Sequence, residues 1–205
     1  MNIATLFSSR LSQLLIGAIM ACAWIYFAII HVRAFGATGN WSYLIFCVTE
    51  TLAALLFLVR SEPVSVSPDL RDWLLAFIAT MSPFLFMPSG QAVLPAASFL
   101  IVAGALLQLS GMVSLNRSLG MVPALRKLKT GGMYRFVRHP LYLSYFVTFS
   151  GYVLANSSLR NLLVYLLTMA LLVVRIGREE AHLSMDSDYR AYMSRVKFRV
   201  LPFVF

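Results

Sequence analysis

Charge is scarce in this sequence, and negative charge scarcest: Asp and Glu number 8 against 17 Lys and Arg, and charged residues make up only 12% of the chain. Soluble domains carry about a quarter of their residues as charges, so a surface built for water is excluded. Cysteine is nearly missing. Cys22 and Cys47 stand alone in apolar runs, with no CxxC or Cys/His spacing of the kind a metal needs, and they read as small buried hydrophobes. No internal repeat, low-complexity tract or long linker divides the 205 residues.

What fills the chain is apolar: 60% of its residues are hydrophobic. A membrane crossing needs about 20 mainly apolar residues. The sequence predicts spans at Leu11 to Val32, Trp41 to Val59, Asp72 to Met87, Val93 to Leu115, Leu141 to Ala155 and Leu159 to Val174. These runs are continuously apolar, where a membrane β-barrel would show short alternating segments, so each is expected to be a helix that satisfies its own backbone. The first run lacks a small-residue cleavage pattern and more spans follow it, so it is read as a span and not as a signal peptide. Lys and Arg collect at the N-terminus, after spans two and four and in the C-terminal tail, which places both termini on the cytoplasmic side. The net charge of +9 reads as topology plus attraction to anionic headgroups, with no nucleic acid required.

The expected fold is an all-α, polytopic bundle of about six transmembrane helices closed by a cytoplasmic amphipathic C-terminal helix. It is one domain over 1–205, with four N-terminal spans in 1–115 and a loop, a helical hairpin and the terminal helix in 116–205. The stretch from Ser61 to Asp69 reads as a solvated connector. Pro83 should kink the third span, and Gly104 and Gly111, on one face of the fourth, should let a neighbour approach closely. Glu50 stands out in mid-span, where an ionised side chain costs about 2.5 to 3.5 kcal/mol or more; it serves either function or packing.

Polar groups concentrate beyond residue 115. The loop between spans four and five holds Asn116-Arg117-Ser118-Leu119-Gly120, Lys127 to Tyr134 with its Gly pair, and Arg138-His139-Pro140-Leu141-Tyr142. Such a mixture suits an ordered cap over a cavity better than a tether. A residue before proline is kept out of the α region, so His139 marks the turn and Pro140 the first turn of span five. After span six, Arg175, Glu179 and His182 recur at helical spacing on one face, flanked by Arg178 and Glu180. Alone this is an ion-paired helix end. The tight turn Asn156-Ser157-Ser158 brings the start of span five level with the end of span six, so His139 and Tyr142 should face Arg175 and Glu179.

In order along the chain, Thr130-Gly131-Gly132-Met133-Tyr134, Arg138-His139-Pro140-Leu141-Tyr142, Arg175, Glu179-Glu180, Leu183, Tyr189, Tyr192 and Val200-Leu201-Pro202 resemble the isoprenylcysteine carboxyl methyltransferase family and the related membrane phospholipid and thiol methyltransferases. Ser144 stands where those relatives often have Gly, and Met185 to Tyr189 replaces Phe-Gly-x-x-Tyr. The resemblance implies an enzyme that binds S-adenosylmethionine without a Rossmann domain, and the sequence has no G-x-G-x-x-G after a strand. It implies a cofactor pocket of Lys129, Tyr134, His139, Pro140, Leu141, Tyr142 and Glu179, with Glu179 accepting from the cofactor's amino group. Arg175 would meet the acceptor, and Arg175 with Glu179 would form the catalytic pair.

In-line transfer of a methyl group from a sulfonium asks for alignment in a dry pocket and for no metal. A carboxylate acceptor of isoprenylcysteine type suits Arg175 and is already ionised; a phospholipid amine or a thiol would first have to lose a proton. The partners expected are a lipophilic or lipid-anchored substrate and membrane lipid. Two other classes carry some of the same features. Sterol-reductase-like membrane enzymes that use NADPH share an Arg-His-Pro-x-Tyr element, and a transporter or scaffold could use the basic loop to bind anionic lipid.

Overall fold

A computed structural model describes residues 10–58, 65–118 and 122–204. Its α-helices are α1 (Arg10–Thr38), α2 (Ser42–Leu58), α3 (Leu70–Met81), α4 (Ser98–Leu115), α5 (Pro140–Ala155), α6 (Leu159–Leu183) and α7 (Ser187–Arg195). Short 3-10 turns precede α4 at Pro95–Ala97 and lead into α5 at Gly132–Arg135. The strands β1 (Ser65–Val66) and β2 (Ala124–Leu125) pair antiparallel, Ser65 opposite Leu125 and Val66 opposite Ala124. Arg60, Ser61 to Val64, Leu119 and Gly120 lie outside the described residues.

Among the described residues, three helical stretches are long and apolar enough to cross a bilayer: Gly17–Thr38, Pro95–Leu115 and Leu159–Leu183. Large apolar side chains stand exposed along them, among them Phe99 and Val113, each about three-quarters or more accessible. Lipid is the solvent in which such surfaces are stable. Cys22 shares that outer surface on α1, which departs from the buried position expected for it, whereas Cys47 is buried. The third span also differs from expectation. Proline has no N–H and clashes with the carbonyl four residues back, and the chain answers Pro83 by ending α3 at Met81 and continuing as a 3-10 turn, Ser82–Leu85. Twelve α-helical residues rise about 18 Å, so α3 alone is shorter than the hydrocarbon layer.

The helices α4 and α5 are the closest pair. A Cβ at Gly104 would strike the side chain and backbone of Thr148, and one at Gly111 would come within 2.9 Å of the Leu141 side chain. The expected close approach is present, and it runs along most of α5. On the other side of α5, Phe46, Phe86, Phe149 and Tyr152 form an aromatic core with Phe27. His31, fully buried, bonds the Tyr152 hydroxyl at 2.7 Å through Nε2 and the Phe27 carbonyl at 2.8 Å through Nδ1.

At the far end of the bundle the turn between α5 and α6 is held by side-chain amides. Asn161 donates to the carbonyls of Met87 and Asn156 at 2.8 and 2.7 Å, the Tyr43 hydroxyl donates to Asn156 Oδ1 at 2.7 Å, and Ser158 caps α6 by accepting from Asn161 N. This tie sets the hairpin's register, so that at the opposite end the start of α5 lies against Glu179 and Glu180 of the longer α6, which continues to Leu183.

Candidate active site

At that opposite end the loop, α5, α6 and α7 enclose a cavity of about 620 Å³, within the usual range for small-molecule sites. Gly132, at φ +58°, turns the loop where a side chain would run into Ser114, and the Ser114 hydroxyl accepts from Met133 N at 3.1 Å. The loop is thereby fixed to the end of α4. Pro140 starts α5 as expected, with His139 at φ −128° before it.

The two motif clusters meet. The Tyr142 hydroxyl donates to Glu179 Oε2 at 2.7 Å, and the Arg175 guanidinium carbon lies 5.7 Å from the centre of the Tyr142 ring. Of the residues singled out from sequence, Lys129, Tyr134, His139, Leu141, Tyr142, Arg175 and Glu179 line the cavity. Pro140 is buried in the first turn of α5 and does not line it. His182 turns away, its Nε2 3.4 Å from the Ser65 hydroxyl.

Within the facing clusters His139 and Tyr142 contact different acids of α6. His139 Nε2 lies 3.1 Å from Glu180 Oε1, not from Glu179. Glu180 is buried and gathers three partners from two segments: Arg138 Nε at 2.6 Å and Arg199 Nε at 2.8 Å join His139. Arg138 also donates to the carbonyls of Val196 and Lys197 at 2.7 and 2.9 Å, and the backbone N–H groups of Arg138 and His139 donate to the carbonyls of Phe198 and Arg199. The chain after α7 is thus laced to the start of α5 through Glu180. From sequence, Glu180 is only a flanking charge. The signal lies in the Glu179-Glu180 pair: neighbours on a helix point about 100° apart, so one acid of such a pair faces the cavity and the other the packing behind it.

A second set of contacts braces the opposite wall. Arg178 pairs with Asp69 and, at 2.6 Å through Nε, with Asp72, while the Ser67 hydroxyl donates to Asp72 Oδ2 at 2.5 Å. Asp69 also accepts from Arg71 N, and this bond, followed by the nearby Arg178, holds its carboxyl below the ordinary Asp range. These bonds anchor residues 65–72 to α6, and the β1–β2 pair extends the anchoring to the loop that carries Arg126, Lys127 and Lys129 into the cavity wall.

The helix α7 seals the outer end with Tyr189 and Tyr192, which pack on Tyr134. The Tyr192 hydroxyl donates to the Tyr134 carbonyl at 2.7 Å. Burial pushes the Tyr192 phenol up to about 12 and raises Tyr134 and Tyr189 as well, so all three stay neutral at physiological pH. The unusual Met185-to-Tyr189 segment has a local role: Asp186 caps α7 by accepting from Asp188 N and Tyr189 N at 2.8 and 3.0 Å. Ser144, where Gly is common among the relatives, is fully buried and donates to the Leu141 carbonyl at 2.7 Å.

Residues 93–189, from the turn before α4 into α7, match the family model of phospholipid methyltransferases. That stretch is similar to a family of membrane methyltransferases. The match contains the loop, α5 and α6, while Tyr192 and Val200-Leu201-Pro202 of the sequence resemblance lie beyond it. No curated protein matches the chain.

Proposed function

We propose that the protein transfers a methyl group from S-adenosylmethionine to a lipophilic acceptor of the membrane. The observation that carries this reading is the contact between Tyr142 and Glu179 inside the cavity, because it joins the Arg-His-Pro-Leu-Tyr loop to α6 in the segment that matches the methyltransferase family.

The residues present fit the cofactor. A sulfonium with an α-amino group is cationic, and the wall offers the Glu179 carboxylate, Asp186, Asp188 and the rings of Tyr134, Tyr142 and Tyr189, surroundings that favour a cation. Lys127 and Lys129 lie on the same wall and suit the cofactor's carboxylate. Tyr142 fixes one oxygen of Glu179 and so aims the carboxylate at an amino group. Glu180, through His139, holds the loop that carries Tyr142 in register with α6. The cofactor supplies the methyl group as a good electrophile, and the protein's contribution is alignment and exclusion of water.

The acceptor enters from the bilayer. In the six-span topology with both termini cytoplasmic, the cavity sits on the cytoplasmic side and reaches inward between helices. Arg175 suits a carboxylate acceptor of isoprenylcysteine type, the acceptor expected from sequence. Glu50 in the same cavity favours an amine, such as a phospholipid headgroup.

The direct test is Glu179→Ala in detergent-purified protein. The variant is expected to keep its helical circular dichroism and to lose at least tenfold in affinity for S-adenosylmethionine. Wild-type affinity in that variant would remove Glu179 from the site.

A further inference from the structure

Along α5, Tyr142, Tyr145 and Phe149 recur at spacings of three and four, so their side chains share one helical face, and all three line the cavity. Their rings form a ladder that leads from the cofactor end toward the bilayer. Tyr142 and Tyr145 have their ring centres 6.3 Å apart; Tyr145 and Phe149 are 5.7 Å apart and within 5° of parallel. Such an offset stack is favourable, and Phe149 is itself fixed in the aromatic core. Tyr142 has its hydroxyl committed to Glu179, and Phe149 has none. The Tyr145 hydroxyl makes no hydrogen bond among the described residues, yet it is not sealed in the packing as the unmet Glu50 Oε1 and Thr148 Oγ1 are. It opens into the cavity.

The other hydroxyls at this depth are committed. On the facing wall Thr168 of α6 donates to Ser82 Oγ at 2.9 Å, and Thr80 of α3 donates to the Ala76 carbonyl at 2.7 Å. Tyr145 stands between the charges of Glu50 on α2 and Arg175 on α6. Three helical residues rise about 4.5 Å, so it lies one turn deeper than Tyr142, at the neck between the Glu179 end and the end lined by Met20 and Phe84. A phenol both donates and accepts hydrogen bonds.

We infer that Tyr145 positions the methyl acceptor: its hydroxyl bonds the polar head at the neck and sets the distance from the reacting atom to the donor's methyl group. This inference rests on the methyltransferase reading. Reacting atoms must sit about 3 to 3.5 Å apart and in line, and a head carried on a flexible hydrocarbon chain gains that alignment from a bond to a fixed group. Tyr145 transfers no proton in this role. Because the phenol donates and accepts, the bond fixes the depth of the head and leaves the choice of its charge to other residues.

The test uses the full chain in detergent with Tyr145→Phe, which keeps the stack on Phe149 and removes only the hydroxyl, beside Tyr142→Phe. The readouts are melting temperature, S-adenosylmethionine affinity and steady-state methylation of three probe acceptors in mixed micelles: phosphatidylethanolamine, S-farnesyl-N-acetylcysteine and dodecanethiol. Expected for Tyr145→Phe are an unchanged melting temperature, cofactor affinity within twofold of wild type, and kcat/KM at least threefold lower for the acceptor that wild type methylates. Tyr142→Phe differs by weakening the cofactor itself. A ring that only packs would leave kcat/KM at the wild-type value in Tyr145→Phe.

The assignment is overturned by kcat/KM within threefold of wild type in Tyr145→Phe, by a fall in its melting temperature, which would give the hydroxyl a structural partner, or by a loss of cofactor affinity, which would place Tyr145 in the cofactor site. Failure of wild type to bind S-adenosylmethionine, or to methylate any of the three probes, would strike the underlying reading and this inference with it, and is seen before any variant is compared.

Discussion

Glu180 shows how one residue can hold a site without entering it. Two of its three partners, Arg138 and His139, are as buried as Glu180 itself, while Arg199 is about 40% exposed. Removing one member of a buried pair leaves an uncompensated charge, at a cost of about 3 to 5 kcal/mol. Glu180→Gln should therefore lower stability by about 3 kcal/mol, read as a fall in melting temperature in detergent, with α5 and the segment after α7 losing protection from hydrogen exchange first. Tyr142→Phe should cost about 1 kcal/mol of stability and weaken S-adenosylmethionine binding several-fold, because it releases Glu179 without emptying the cavity. At this scale the sequence is informative where a motif names a residue: Tyr142, Glu179 and Arg175 come together as expected. It is silent on partners distant in the chain. Nothing local to Glu180 tells that Arg199 returns to it, and nothing near Asp72 announces Arg178.

Among the helices, the α4–α5 contact is set by missing side chains. Gly104→Leu would drive a side chain into Thr148, and overpacking of this kind costs about 1 to 3 kcal/mol or more. A methyl group added at Gly177 in α6 would meet no atom within 4 Å, so Gly177→Ala should stabilise the helix by about 0.5 to 1 kcal/mol. Thermal denaturation of the two variants side by side checks both signs. The clamp of Arg178 on Asp69 and Asp72 carries a pH dependence. Because Asp69 titrates below its unfolded value, its contribution is complete above about pH 4, the ordinary Asp value, and fades as pH falls through the lowered one. Hydrogen exchange in residues 65–72 should rise on that acidic limb and stay flat from pH 5 to 8. Helix positions are legible because apolar runs and Pro/Ser/Asn punctuation mark them. The fate of the third span is not, because Pro83 can either kink a helix or end it, and packing of the 3-10 turn against α6 decides between them; Ser82 there accepts from the Thr168 hydroxyl at 2.9 Å.

For the molecule as a whole, apolar composition and, among the described residues, three long apolar helices make it a membrane protein, and residues 93–189 match the family model of phospholipid methyltransferases. The polar tie around Asn156 and Asn161 fixes one end of the α5–α6 hairpin, and the cavity forms at the other, where the loop and α7 close it. The central claim is that this cavity holds S-adenosylmethionine. Equilibrium binding of radiolabelled S-adenosylmethionine to the detergent-purified chain, run beside NADPH, tests it most directly. The account predicts saturable binding of one S-adenosylmethionine per chain, unaffected by excess NADPH; binding of NADPH with none of S-adenosylmethionine would contradict it.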